Sequence, residues 1–100
     1  MSLRVEQIGL GDQRAWARAL EGLPHGVAHT HAYNAALNQP IRLLSFDLGG
    51  GRAVCPIQLR SYEGHTDIFS PYGSGGFVGQ GELDGLHAAL EHLARDEGWV

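Results

Sequence analysis

Alternating hydrophobic and polar positions in the middle of the chain predict a β-hairpin. The alternation runs over residues 41–48, is interrupted by three consecutive glycines, and resumes over residues 53–59. A period of two is typical of strands with one buried face, and glycines allow the positive φ angles of a tight turn. Because Pro56 has no N–H group to donate to a neighbouring strand, we expect an edge or a bulge there. The hydrophobic positions are Leu44, Phe46, Leu48, Ala53, Cys55, Ile57 and Leu59.

Helical spacing of hydrophobic residues predicts two helices before this hairpin. Asp12 is a favourable N-cap for the first helix, and Gly22 and Pro24 end it. Thr30 can cap the second helix, which we expect to run from about His31 to Asn38. The expected buried residues are Ala15, Trp16, Ala19, Leu20 and Leu23 in the first helix, and Tyr33, Ala36 and Leu37 in the second.

A third helix near the end of the chain has the clearest apolar stripe. Glu91 precedes Arg95 by one turn, in the order that favours an ion pair. Gly98 is a candidate C-cap, and Trp99 begins a further strand. The apolar stripe of this third helix consists of Leu83, Leu86, Leu90, Leu93 and Ala94.

Two short strands, residues 4–8 and 67–70, and a glycine-rich loop, Pro71–Gly79, complete the pattern. Strands and helices in this order predict an α/β (α+β) fold. The length allows one domain at most. A chain of this length can bury one modest core, and we expect it to be marginally stable unless a partner or a second copy completes the exposed edge of the sheet.

Composition narrows the classes of function. A formal net charge of −4 and a pI near 5.8 offer no footprint for nucleic acid, so we expect no DNA partner. The chain contains no lysine, which excludes a phosphate-loop lysine and a Schiff-base lysine within it. Cys55 is the only cysteine, so no internal disulfide forms. The first residues of the chain do not have the pattern of a signal peptide, and no apolar run approaches about 18 residues. We therefore expect a cytoplasmic protein without a membrane span.

Several segments resemble the first half of FemAB-like acyltransferases, which share the GNAT fold. Ser70-Pro71-Tyr72-Gly73-Ser74-Gly75-Gly76 is the most specific match, since the family pattern there is roughly Ser-Pro-Tyr-Gly-x-Gly-Gly. The segments His29–Leu37 and Ala53–Ile57 resemble the family's second helix and its proline-bearing hairpin strand. A leucine-rich helix ending in Gly98-Trp99-Val100 follows, as in the family. The order of elements also agrees over nearly the whole chain.

This resemblance implies a partial GNAT-like mixed sheet with an antiparallel hairpin and three helices. Residues 1–100 are then one partial domain, the N-terminal half of an acyltransferase, because family members are about three times as long. Such enzymes pass an acyl or aminoacyl group to an amine or hydroxyl acceptor in cell-wall or polysaccharide metabolism. The donor, acyl-coenzyme A or aminoacyl-tRNA, belongs to the full-length protein, since no segment here has the pyrophosphate-binding pattern of typical GNAT enzymes. We therefore expect no cofactor within this segment.

The loop Pro71–Gly79 is the main candidate site. The resemblance implies that Tyr72, Gly73, Gly75 and Gly76 contact a small-molecule, glycan or peptide acceptor. Glycines without a Cβ would let a substrate approach the backbone closely. The alternative is a tight connection that needs positive φ, with Tyr72 as a wall residue. No catalytic base can be assigned from this segment.

Other functions are weaker alternatives. His29 and His31 have the spacing of a metal pair but no third ligand nearby, so we expect no metal site. A non-catalytic half-GNAT module that forms a homodimer through its exposed sheet edge is the second hypothesis.

A small hydrolase is the third hypothesis. Ser70, His65 and Asp67 supply the residue types of a hydrolytic triad, but no G-x-S-x-G motif is present. Cys55 lies in the middle of an apolar strand, where cysteine is more often a small buried hydrophobic residue than a nucleophile.

Overall fold

One antiparallel sheet runs through the molecule, with helices on both of its faces. The structure is a computed structural model and describes residues 4–69 and 77–99. No helix within these two ranges is both long enough and apolar enough to cross a membrane. In chain order the elements are β1 (Arg4–Gly9), α1 (Gln13–Leu20), a 3-10 turn (Val27–His29), α2 (His31–Ala36), β2 (Ile41–Asp47), β3 (Gly51–Tyr62), β4 (His65–Phe69), β5 (Val78–Gly81) and α3 (Leu86–Glu97).

The strands are ordered β1-β2-β3-β4, and β5 pairs with the first half of β3. All four strand pairs are antiparallel. The predicted hairpin is the pair β2–β3, in which Leu44 lies opposite Cys55, and Leu48 N donates to Gly51 O over 2.8 Å at the turn. The mixture of helices with a five-stranded sheet confirms the predicted α+β class.

The chain returns to the sheet after α3. Gly98 ends the helix with a φ of 73°, and Trp99 N donates to Ala94 O over 2.8 Å. Trp99 then forms an isolated parallel bridge with Thr66 of β4. This bridge is a single parallel pairing outside the named strands, and the further strand expected to begin at Trp99 stays a prediction.

Pro56 lies at a local edge of an inner strand. Leu59 N donates to Pro40 O, so the odd-numbered residues of β3 direct their backbone groups toward β2. The backbone of Pro56 therefore faces the opposite side, which β5 pairs over residues 51–54 and β4 over residues 58–62. Because Pro56 falls between these two ladders, its missing N–H costs no hydrogen bond between strands.

Each face of the sheet has its own hydrophobic cluster. On one face α1 packs with Asp12 as its N-cap, whose Oδ1 accepts from Ala15 N over 3.1 Å, as predicted. On the other face α3 is held less deeply, since Ala89 is its only fully buried residue. The first cluster contains Ile8, Trp16, Ala19, Leu20, Leu23, Ile41, Leu43 and Val54, and the second contains Leu44, Phe46, Leu48, Cys55, Ile57 and Ala89.

The buried side of α2 differs from the prediction. Thr30 caps the helix as expected, but Ala36 is exposed and Tyr33 and Leu37 are only half-buried. The fully buried residue is Asn34, whose Nδ2 donates to Ala28 O over 3.0 Å and to Thr30 O over 2.8 Å. A polar side chain occupies this position because it satisfies two backbone carbonyls of the preceding loop.

Asn34→Ala is expected to lower the free energy of unfolding by about 2 kcal/mol, because the carbonyls of Ala28 and Thr30 lose the donor that the Asn34 amide supplies. Urea denaturation followed by circular dichroism measures this change. The matched control is Gln39→Ala, which removes the exposed amide hydrogen bond between Gln58 Nε2 and Gln39 Oε1 and is expected to cost little. Equal costs for the two variants would show that the buried amide has no special role.

Two further local predictions differ from the structure. Val78 and Gly79, expected to belong to the glycine-rich loop, instead begin β5, because β3 offers a free edge over residues 51–54. Glu91, expected to pair with Arg95, instead lies 2.8 Å from His87 Nε2. Both neighbours are one helical turn from Glu91, and exposed pairs of this kind differ little in energy.

Candidate functional site

The residues expected to contact an acceptor, Tyr72, Gly73, Gly75 and Gly76, lie outside the described part of the chain. The structure does describe both ends of their segment. Phe69 ends β4 opposite Gln58, and Val78 begins β5 opposite Val54. Both strands run in the same direction along the same side of β3, so the glycine-rich segment connects two strands in line and does not lead directly into a helix.

The two ends of this segment are attached to nearby positions on β3. Val54 and Gln58 are four residues apart on β3, which corresponds to about 13 Å along a strand. Between them, Cys55, Pro56 and Ile57 are buried. Phe77, where the description resumes, is 37% exposed, and its ring lies 5.9 Å from that of Phe46. The two described ends of the segment therefore flank a buried, apolar stretch of β3.

The parallel bridge between Thr66 and Trp99 lies on the strand that leads into this segment. β4 runs from His65 toward Phe69, so the glycine-rich segment follows its carboxyl end. Trp99 reaches β4 through α3, which covers the same face as Ile68 and Leu59.

The histidines near the start of α2 hold backbone groups. His25 Nδ1 lies 2.7 Å from Leu23 O, and His31 Nε2 lies 2.6 Å from Leu10 O. Because a carbonyl only accepts hydrogen bonds, both of these nitrogens carry the proton. His29 is buried within the same loop. Residues 4–69 and 77–99 contain no group of three or more histidine, cysteine or acidic residues arranged for a metal ion.

The residue types of a hydrolytic triad are not seen as a unit. Ser70 lies outside the described residues. Asp67 is 2.8 Å from Arg60 Nη2 on the neighbouring strand, so its carboxylate has a partner other than His65. Cys55 is buried with its Sγ 3.4 Å from Pro56 O, as expected of a small buried side chain.

The structure contains a charged cleft between α1 and the sheet that was not predicted from the sequence. It has a volume of about 300 Å³ and contains three arginines, Arg4, Arg18 and Arg52. These residues come from β1, α1 and β3, so only folding brings them together. The one signal in the sequence is that Arg4 and Glu6 share the strand face of the buried Ile8, which places charge on a face that a helix covers. The other lining residues are Glu6, Ile8, Ala15, Ala19, Ser45 and Asp47.

Comparisons of the chain with models of known protein families, with curated proteins and with solved structures find no match. Assignment of a function therefore depends on the residues and the geometry described above.

Proposed function

We propose that this chain forms the N-terminal part of a cytoplasmic acyltransferase with a GNAT-like fold, similar to FemAB-like enzymes. The parallel bridge between Trp99 and Thr66 carries this proposal. It pairs the chain just after α3 in parallel with β4, as a crossover would, although β5 intervenes between β4 and α3 and all four strand pairs are antiparallel. The preceding order of one strand, two helices and three strands agrees with the resemblance found in the sequence.

The crossover supports a binding role for the glycine-rich segment. The segment follows the carboxyl end of β4, which is where ligands of parallel crossovers bind. Tyr72, Gly73, Gly75 and Gly76 are then the residues proposed to contact an amine- or hydroxyl-bearing acceptor from cell-wall or polysaccharide metabolism. In such chemistry the enzyme orients the acceptor, a base removes its proton, and hydrogen-bond donors stabilise the oxyanion. The donor is acyl-coenzyme A or aminoacyl-tRNA.

Titration of the full gene product with acetyl-coenzyme A tests the proposal. We expect saturable binding measured by calorimetry, and a gel-shift with aminoacyl-tRNA covers the second donor class. Tyr72→Phe is expected to weaken acceptor use several-fold without changing donor affinity, because it removes one hydroxyl group. Tyr33→Phe on α2 is the matched control. A folded gene product that binds neither donor would refute the acyltransferase proposal.

A non-catalytic module that dimerises through its sheet edge is the second candidate. Within the described residues, β1 pairs only with β2, and its odd-numbered residues direct their backbone groups away from β2. An unpaired strand edge of this kind is a template for pairing with another chain. Sedimentation velocity over a range of concentrations measures association. Gln7→Pro, which removes one outward N–H, should abolish a dimer formed through this edge.

A further inference from the structure

We propose that the charged cleft between α1 and the sheet is a binding site for a small organic anion bearing carboxylate or phosphate groups. This proposal is independent of the acyltransferase proposal, because the cleft shares no residue with the glycine-rich segment.

The cleft forms where small side chains of α1 face the sheet and leave space between the helix and the strands. Ala15 and Ala19 form the helix side, and Ile8 contributes an apolar part of the wall. The sheet side carries Glu6 and Ser45, which lie opposite each other in the β1–β2 register. A volume of about 300 Å³ is at the lower end of the range for small-molecule sites.

Arg52 is fixed in position by the end of α1. Its Nη1 donates to Ala19 O over 3.2 Å, and its Nη2 donates to Glu21 O. Ala19 O lies in the last turn of α1 and Glu21 O at its C-cap, which is the end of a helix that attracts cations. A guanidinium has five N–H donors, so three remain for an oxyanion in the cleft that the half-buried Arg52 lines.

The other two arginines have no partner among the described residues. Asp47 lies opposite Arg4 on β1 and Arg52 on β3 in the strand register, yet no ion pair within 4.0 Å joins it to either. Asp47 Oδ1 instead accepts from Gly49 N over 3.0 Å. Arg4 and Arg18 are exposed at the rim of the cleft, so both guanidinium groups can contact a ligand.

The charge of the cleft is opposite to that of the chain. Three arginines and two carboxylates leave one excess positive charge on its lining, whereas the chain carries −4. Guanidinium groups bind carboxylate and phosphate through paired N–H donors. Because the rim is exposed, we expect the affinity to fall as ionic strength rises.

Nuclear magnetic resonance titration of the full chain with potassium citrate and with pyrophosphate, at constant ionic strength, tests the proposal. We expect saturable shifts of the arginine Nε–H signals and of neighbouring amides in the cleft. Saturation with citrate alone would identify a carboxylate ligand, and saturation with pyrophosphate alone would identify a phosphate ligand. Either result supports the site.

Arg18→Gln is expected to weaken the affinity about tenfold, because it removes a charged donor at the rim. Arg14→Gln is the matched control, since Arg14 lies one turn earlier on α1, is exposed, and does not line the cleft. Both changes are on the surface of a helix, so both variants should fold. Shifts that do not saturate with either anion, or equal losses in the two variants, would overturn the proposal.

Discussion

Trp16→Ala is expected to cost about 3–5 kcal/mol of stability, the largest loss from any alanine substitution in α1. Trp16 is fully buried, and it is the largest side chain in the cluster between α1 and the sheet. Because a domain of this length has a free energy of unfolding of about 5–15 kcal/mol, the substitution is expected to remove a large share of it. Urea denaturation followed by far-ultraviolet circular dichroism measures the loss.

Trp16 also connects α1 to the loop before α2. Its Nε1 donates to His29 O over 2.9 Å, and its ring meets that of His31 edge-on at a centroid distance of 5.6 Å. Trp16→Phe keeps a large ring but leaves the His29 carbonyl without this donor, so we expect an intermediate loss of about 1–3 kcal/mol. Trp99→Phe, at a half-buried position, is the control. Equal losses for the two phenylalanine variants would contradict a specific role of the Trp16 hydrogen bond.

Gly81→Ala is expected to produce the second-largest loss. Gly81 has a φ of 85°, and a Cβ there would lie 2.5 Å from Gly50 O and 2.8 Å from Gly51 Cα. Neither neighbour is a flexible side chain, so the turn between β2 and β3 would have to move away from the end of β5. Glu82 N donates to Gly50 O over 3.1 Å, and this hydrogen bond would be lost with the displacement. We expect a loss of about 2–4 kcal/mol from backbone strain and crowding together.

Gly64→Ala separates these two causes. Gly64 has a φ of 83°, nearly that of Gly81, but a Cβ there would meet nothing within 4 Å. We expect only the conformational cost of about 1–2 kcal/mol, and the difference between the two variants measures the crowding. Thermal and urea denaturation measure the losses. Equal losses for Gly81→Ala and Gly64→Ala would show that β5 does not pack against the turn as described.

Local patterns were sufficient to predict the hairpin and the first helix. The alternation placed Leu44 and Cys55 on one face of the hairpin, where both lie in the second cluster, and Asp12 marked the start of α1. These features depend on residues close in sequence. The alternation did not predict that the opposite face is also buried, because that burial depends on the packing of α1. Asn34 was not predicted as a core residue, because its burial depends on carbonyls that only the folded loop places around it.

Features that depend on distant partners could not be predicted in the same way. The four residues of β5 have no clear period of their own and are ordered by the free edge of β3. The charged cleft required Arg4, Arg18 and Arg52 to meet from three separate elements. The proposed acceptor contacts at Tyr72 and its neighbouring glycines lie outside the described residues and stay a prediction.

The collinear arrangement of β4 and β5 has an evolutionary consequence. Because Phe69 and Val78 are each anchored to β3 by their own ladder, the intervening segment can gain or lose residues while both anchors keep their register. Doubling the length of such a connection costs only about 0.6 kcal/mol in chain entropy. Selection could therefore diversify this stretch independently of the scaffold that supports it.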